Sequence, residues 1–573
     1  MADRYEPPFL SPGSSSTADE YSANPRFIEL QEELRCVLFA GVSSHDPSKA
    51  ATPEPAPAPG EEQRRPDEDA VSPGRSAFDF SRVPDIPKIK LIHYFKNWIT
   101  ECAPYLDKFD QERHFGTHVP IMAERSPPLF YAVLAFSARQ MERKALLEQG
   151  YDSLELYQES IRLLAPSLQA KDPNMLVTAC VLAVLELMSG SPRNWRRHIE
   201  GCATLFEFFE ITGFSGGLLQ GVFWCYARME LCGAIISGGA ESTVLPLSKW
   251  IPPPPPDVST NDAMDGFART VFYQSGRENT GMHANWSVYL CARACDLTYR
   301  RTRVLELQEP DDSDTRPFLE QWTRLWADLQ FWLESRPWSM LPTTMKTTTL
   351  PLESSQEQVF PVILFSDYPA ISSNQIYHAA CILMLETRPP EAQLSSPQCS
   401  PIWHARRVCG ISWTNPHRAS LINAIQPLYL AGRLLTHPSE QVQVARLFRI
   451  IDRTTGWGAL WRLRDLEVEW GYKPGEILRQ VDITSQPTNS MCWPSRKASE
   501  PARDYNVRPV PADQSSYRRL KREPPPRKHK RRRNGYGYDA GGGGGGCSYG
   551  GGGGDGGGGC GGDGGGGGGD GGC

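Results

Sequence analysis

Residues 175 to 188, Met-Leu-Val-Thr-Ala-Cys-Val-Leu-Ala-Val-Leu-Glu-Leu-Met, decide the fold class. The run is apolar nearly all round, yet it is shorter than the ~20 residues a bilayer span requires, and it contains Glu186. A helix with no polar face must be wrapped by other helices, so this one is expected in the middle of a bundle, opened by Asp172-Pro173. The text on both sides supplies the wrapping. Upstream, Leu154, Tyr157, Ile161, Leu164 and Leu168 recur at three and four, as do Leu129, Val133, Phe136 and Gln140 after Ser126-Pro127-Pro128 in a helix read as running to Gly150. Before these, Ile89, Ile92, Phe95, Ile99, Cys102 and Leu106 mark what is read as the buried face of a first helix. Downstream, Trp195, Ile199, Cys202, Leu205 and Phe209 form a fifth stripe and Phe223 to Leu231 a sixth.

A second helical series begins near Ala284. Its stripes are Trp286, Leu290, Ala294 and Leu297, then Phe318, Trp322, Leu325, Leu329 and Trp332. Helices follow at Ile376 to Glu386, Arg418 to Leu435 with a kink at Pro427, Ser439 to Arg453, and Gly458 to Trp470. No period-two strand text intervenes, and no fixed repeat of 34 to 47 residues recurs. The expected fold is all-α: a large irregular helical bundle of about ten helices, with disordered N-terminal and basic, Gly-rich C-terminal tails.

Composition sets the limits of that body. More than half of the 51 glycines lie after Asn534, and prolines crowd into Ala51 to Pro66 and Pro252 to Pro256. Such stretches cannot bury enough apolar surface to offset the entropy of ordering them. Residues 1–85 are therefore read as a linker with one short helix near 27–39, and 86–472 as the helical domain. Within it, halves 86–235 and 284–472 are joined by a Pro- and Gly-rich connector. A polar linker at 473–517, a basic segment at 518–533 and a Gly-rich tail at 534–573 complete the chain.

The net charge of −6 conceals an asymmetry: residues 518–533 carry ten Lys or Arg against Glu523 alone, so the rest sums to about −15. Arg518, Arg519, Lys521, Arg522, Arg527, Lys528, Lys530, Arg531, Arg532 and Arg533 fall in two clusters separated by prolines, the pattern of a bipartite nuclear-import signal read by an import receptor. The bland reading is a solvated charge run. Any DNA contact from it would be to phosphates and without sequence preference. The N-terminus lacks the basic-then-apolar order of a secretory signal, so a nuclear, non-membrane protein is expected.

Residue patterns that could carry chemistry are weak. Gly213-Phe214-Ser215-Gly216-Gly217 fits the spacing of a nucleophile elbow, but helical-period text precedes it where a strand is needed, so a helix-to-helix loop is expected and a small hydrolase using Ser215 is the outlying alternative. His114 and His118 have the spacing of a shared zinc ion, yet Gly116 lies between them and a loop is read there. Cys291 and Cys295 are read as small buried residues, and Cys547, Cys560 and Cys573 as a duplicated low-complexity unit. No catalytic, cofactor-binding or metal-binding residue is assigned.

Several segments together resemble a known group. They are Leu91 to Trp98 with Pro104 and Asp107; Val119 to Ala138, VPIMAERSPPLFYAVLAFSA; the Tyr157 helix to Leu164; Trp195, His198, Gly201 and Leu205; Phe223-Trp224 with Arg228; Gln426-Pro427 to Gly432-Arg433; Thr455-Gly456-Trp457; and Trp470-Gly471. In order and spacing they resemble the fungal-specific regulatory domain of the binuclear zinc-cluster transcription factors, in the branch of the acriflavine-sensitivity and GABA-utilisation regulators. The resemblance implies a nuclear regulator of genes read by RNA polymerase II that works by binding, as a homodimer or with other regulators, and that senses a small apolar ligand. It also implies a DNA-reading cluster of six cysteines holding two zinc ions. Here the first cysteine is Cys36, the next Cys102, and no C-x-x-C occurs. Zinc and direct promoter contact are thus expected only if an upstream cluster precedes this text; otherwise the protein acts through partners. A helical scaffold or co-regulator without direct DNA binding is the rival reading.

Overall fold

The computed structural model describes residues 23–43, 86–144, 151–168, 172–189, 195–311, 313–346, 359–394 and 399–484. The first series of helices is α1 (Pro25–Ser43), α2 (Lys88–Asn97), α3 (Ala103–Leu106), α4 (His114–Ala123), α5 (Pro127–Arg143), α6 (Asp152–Leu168), α7 (Met175–Ser189), α8 (Trp195–Phe208) and α9 (Gly217–Ile236). As the all-round apolar text requires, α7 is central: every described side chain from Met175 to Ser189 except Leu187 is buried. It is packed by α5, α6, α8 and α9. Its one acid, Glu186, is met by the Tyr157 hydroxyl of α6, so the carboxyl is not left unpaired in the core.

Helix α5 starts with Pro127 and Pro128 in its first turn, where missing N–H groups cost nothing. Ser126 is extended there but makes no side-chain cap bond. Helix α1 is longer than the stretch read from sequence and is no linker element. Phe27, Leu30, Leu34 and Leu38 are buried against α6 and α8.

The isoleucines of the first stripe are reversed, while its Cys102 and Leu106 are buried as read and Phe95 is half-buried. Ile89 (59% exposed), Ile92 (61%) and Ile99 (39%) look outward, while Leu91, Tyr94, Trp98 and Cys102 are buried. Two stripes at helical spacing compete on this helix, and the aromatic one wins because it buries more area and satisfies its polar ends. Trp98 Nε1 donates to the Phe115 carbonyl at 3.0 Å, and the Tyr94 hydroxyl donates to Asp152 at 2.6 Å. A π turn over Trp98–Cys102 carries the chain from α2 into α3 and brings Trp98 and Cys102 onto the inner side.

The second series is α10 (Asn261–Glu278), α11 (Thr280–Thr302), α12 (Phe318–Glu334), strands β1 (Thr344–Lys346) and β2 (Val362–Leu364), then α13 (Tyr368–Glu386), α14 (Pro401–Thr414), α15 (Arg418–Asn423), α16 (Ile425–Arg433), α17 (Pro438–Thr455), α18 (Leu460–Glu469) and α19 (Glu476–Thr484). The connector between the series holds α10, capped by the Thr260 hydroxyl on Ala263 N–H, which the flanking Pro run and low apolar content had hidden. Pro427 does more than kink its helix: α15 and α16 are separate, broken at Ala424, because a proline supplies no N–H and crowds the carbonyl four residues back. Helix α14 was not read from sequence, nor was α19, whose Ile477 and Val481 are buried and which packs on α17. Text taken as polar linker thus begins with a docked helix.

Among the described residues the only sheet is the antiparallel pair β1–β2, with Thr344 opposite Leu364. Three-residue strands are too short to show a period. The Asn415 side chain secures β2, accepting from Phe365 N–H at 3.0 Å and donating to the Ile363 carbonyl at 2.7 Å.

One hydrophobic cluster runs from Phe27 through α7 and α11 to Leu430, crossing both helical series. A second gathers α14 to α19 around Phe448 and Leu466. No described helix is long and apolar enough to cross a membrane.

Candidate regulatory site at the seam between the helical series

The residues singled out by the resemblance are joints of the bundle. Gly201 on α8 faces α1 so closely that a Cβ there would lie 2.7 Å from Leu38 Cδ1 and 2.9 Å from Leu38 Cβ. Trp195 and His198 belong to the same helix; their side chains lie outside the described part. Gly456 ends α17 at φ +73°, a left-handed cap that glycine takes at little cost. This cap touches the first series: Gln140 Nε2 donates to the Thr455 carbonyl at 2.9 Å and Arg143 Nε to the Gly456 carbonyl at 2.5 Å. Trp457 follows, half-buried between the two hydrophobic clusters. Trp470 Nε1 donates to the Gly432 carbonyl at 2.9 Å, and Gly471 makes the turn that ends α18.

Arg228, on α9, lies at the centre of a buried polar seam. Its guanidinium donates to the Leu106 carbonyl at 2.6 Å and sits over the Phe109 ring, 5.5 Å from the centroid. The same turn holds Asp107, whose carboxylate accepts Phe115 N–H (2.7 Å) and Gly116 N–H (2.8 Å) and so starts α4. Burial pushes the Asp107 carboxyl up to about 7 despite those bonds. Beside it Lys108 is 6% exposed, and its Nζ hydrogen-bonds to no protein atom. Burial, then the nearby Arg228, hold that amine well below its ordinary range. Burial also raises the Cys232 thiol, one turn along α9 from Arg228, to about 11.

The remaining sequence candidates do not assemble into chemistry. Ser215 is exposed in the loop between α8 and α9, and its Oγ accepts Thr212 N–H at 2.9 Å. The sharp strand-to-helix turn of a nucleophile elbow is not formed there. His114 and His118 stand on helix α4, not in the loop read from sequence; Asp110 starts that helix by accepting His114 N–H at 2.9 Å. The His114 Nδ1 pairs with Asp110 at 2.8 Å, and His118 with Thr117. Cys291 and Cys295 are buried on α11. Among the described residues no group of three or more His, Cys, Asp or Glu is placed to hold a metal. A buried pair missed from sequence is His378 with His404, Nδ1 to Nδ1 at 2.8 Å, which one proton must bridge.

What the bundle provides, then, is a rigid packed body with polar joints between its two series. Comparison with known sequences agrees: residues 90–469, more than half of the chain, match the fungal specific transcription factor domain. The chain belongs to this family. In this chain the fungal specific transcription factor domain takes in Gly201, Arg228 and the Gly456 cap, and ends one residue before Trp470; α1 with Leu38 lies outside it. The transcription activator AMTR1 of Alternaria alternata is 21% identical over a match that covers 65% of this chain and 62% of that protein. The chain thus spans less than two thirds of that relative's length. No solved structure matches it. Arg518 to Arg533, the basic segment, lie outside the described residues.

Proposed function

We propose that this protein is a nuclear transcription regulator in which the fungal specific transcription factor domain acts by contact, through dimerisation, partner binding or ligand sensing, and breaks no bonds. The observation that carries this reading is the family match over 90–469, which coincides with the tightly jointed helical body. The described polar groups support it too. They cap helices, as Thr260 does for α10, and bridge the two series, as Gln140 and Arg143 do at Thr455 and Gly456. In this reading the basic clusters up to Arg533 bind an import receptor, and promoter DNA is reached through an upstream zinc cluster or through partner regulators.

The test uses the full chain. Fused to a heterologous DNA-binding domain in a fungal reporter strain, it is expected to change transcription several-fold relative to the DNA-binding domain alone. A fluorescently tagged chain is expected to concentrate in the nucleus and to lose most of that enrichment when Arg531, Arg532 and Arg533 are changed to Ala. A tethered chain with no effect on the reporter, together with a cytoplasmic distribution, overturns the proposal in favour of a scaffold.

A further inference from the structure

Among the described residues, helix α2 is held from one side. Tyr94 and Trp98 are buried there, Lys90 reaches Asp152 of α6 at 2.9 Å, and α5 packs alongside, with the Phe95 and Phe130 ring centroids 6.0 Å apart. The opposite side carries Ile89, Ile92, Lys96 and, in the π turn that continues the helix, Ile99, all of them exposed. Their spacings of three, four and three are those of the a and d positions of a heptad, the seam by which one helix receives another. A single exposed aliphatic side chain needs no explanation, but three isoleucines in one row form a continuous apolar strip, and such strips mark contact surfaces.

The strip is bordered by bases. Lys88 lies along one side and His93 along the other, with Lys96 inside the row, and all three are exposed. The one acid of α2 and its π turn, Glu101, is taken by Lys144 at 3.5 Å and by Arg418 at 2.9 Å. A second copy of this chain suits such a face poorly, because two like strips would set lysines against lysines. The face of one short helix also falls short of the roughly 800 Å² a side that a stable dimer buries. An amphipathic helix whose apolar row is bordered by Asp or Glu answers both features at once. We propose that the outer face of α2, formed by Ile89, Ile92, Lys96 and Ile99, is the docking surface for an acidic amphipathic helix of a partner protein. The partner's leucine row packs on the isoleucines while its carboxylates meet Lys88 and Lys96. This rests on the partner binding given above and names the partner's chemistry. The isoleucines supply affinity by burial, and the lysines select the sign of the partner.

The probe is a fluorescein-labelled synthetic peptide of about three heptads with Leu at a and d and Glu at the flanking positions; its twin carries Lys in place of every Glu. Fluorescence anisotropy with the purified full chain is expected to show binding of the Glu peptide, and binding of the Lys peptide about ten-fold weaker. Ile92→Asp should weaken the Glu peptide about ten-fold or more with an unchanged urea midpoint, because the side chain it replaces is exposed. Lys96→Glu, equally exposed, should narrow the gap between the peptides to less than about three-fold. Equal affinity of the natural chain and Ile92→Asp for the Glu peptide overturns the proposal, as does no binding at about 1 mM peptide. A dimer in sedimentation velocity that Ile92→Asp disperses also overturns it and gives the face to a second copy. The reporter separates the two readings. An unchanged response from the tethered Ile92→Asp chain removes this surface from regulation and leaves the regulator role standing. A natural chain that is silent in the reporter, yet binds the Glu peptide through Ile92, ends the regulator role and keeps the surface.

Discussion

Substituting Gly201 tests whether the N-terminal helix α1 is part of the regulatory body. The Cβ of Gly201→Ala would fall 2.7 Å from Leu38 Cδ1 and 2.9 Å from Leu38 Cβ. Rotating the leucine relieves the first contact and cannot relieve the second, because Cβ is fixed to the backbone. Overpacking of this kind costs about 1–3 kcal/mol. Against it stands the apolar burial of Phe27, Leu30, Leu34 and Leu38, about 1.5–3 kcal/mol each and so roughly 6–12 kcal/mol in all. The conformational entropy lost on ordering the helix opposes that burial, so the docking margin is small. The alanine strain is therefore tolerated with α1 still docked, whereas Gly201→Leu, with three further carbons, exceeds what docking supplies. Urea denaturation of the full chain should show Gly201→Ala about 1–3 kcal/mol less stable, with α1 still protected from limited proteolysis. Gly201→Leu should expose α1 to cleavage near Leu34 while the rest of the bundle stays resistant. A Gly201→Leu protein with an unchanged midpoint and a protected α1 would refute this packing.

Two other changes probe the joints. Gly456→Ala forces a left-handed backbone at φ +73° on a residue with a Cβ, which would also stand 2.9 Å from the Gln140 carbonyl; a loss of about 1–2 kcal/mol in urea denaturation is expected, and a neutral result would refute the cap. His283 is buried beside Trp332; its Nε2–H donates to the Trp332 carbonyl at 3.2 Å, and Trp332 Nε1 donates to the His283 carbonyl at 2.9 Å. Burial lowers this imidazole to about 4, so the unfolded chain binds its proton first on acidification. Its stabilising contribution is complete above about 6.5 and is lost as pH falls toward 4. His283→Gln should flatten stability across that window, measured by urea midpoints at each pH.

Much of this body was legible in the text, and the failures have physical causes. Met175 to Met188 gave a central helix because all-round apolarity admits no other place for it. On α2 the period was right and the face wrong: isoleucines and aromatics offered two equal stripes, and only a partner such as the Phe115 carbonyl for Trp98 Nε1 chooses between them. Helices α10 and α14 are marked by their Thr260 and Ser400 caps more than by stripes, so periodicity passed over them, whereas α19 has its stripe, Ile477 and Val481, in only nine residues.

The seam shows where sequence reading stops. Arg228 stood out in the text, but as a family position, and Lys108 did not stand out at all. A lysine near the end of a short helix reads as a solvated charge, and in most proteins that is what it is. What makes Lys108 informative is a relation: the amine is buried without a hydrogen-bond partner, beside an arginine, Arg228, that is itself bonded to the Leu106 carbonyl. Relations of that kind depend on how α3 and α9 pack, and those segments lie more than a hundred residues apart.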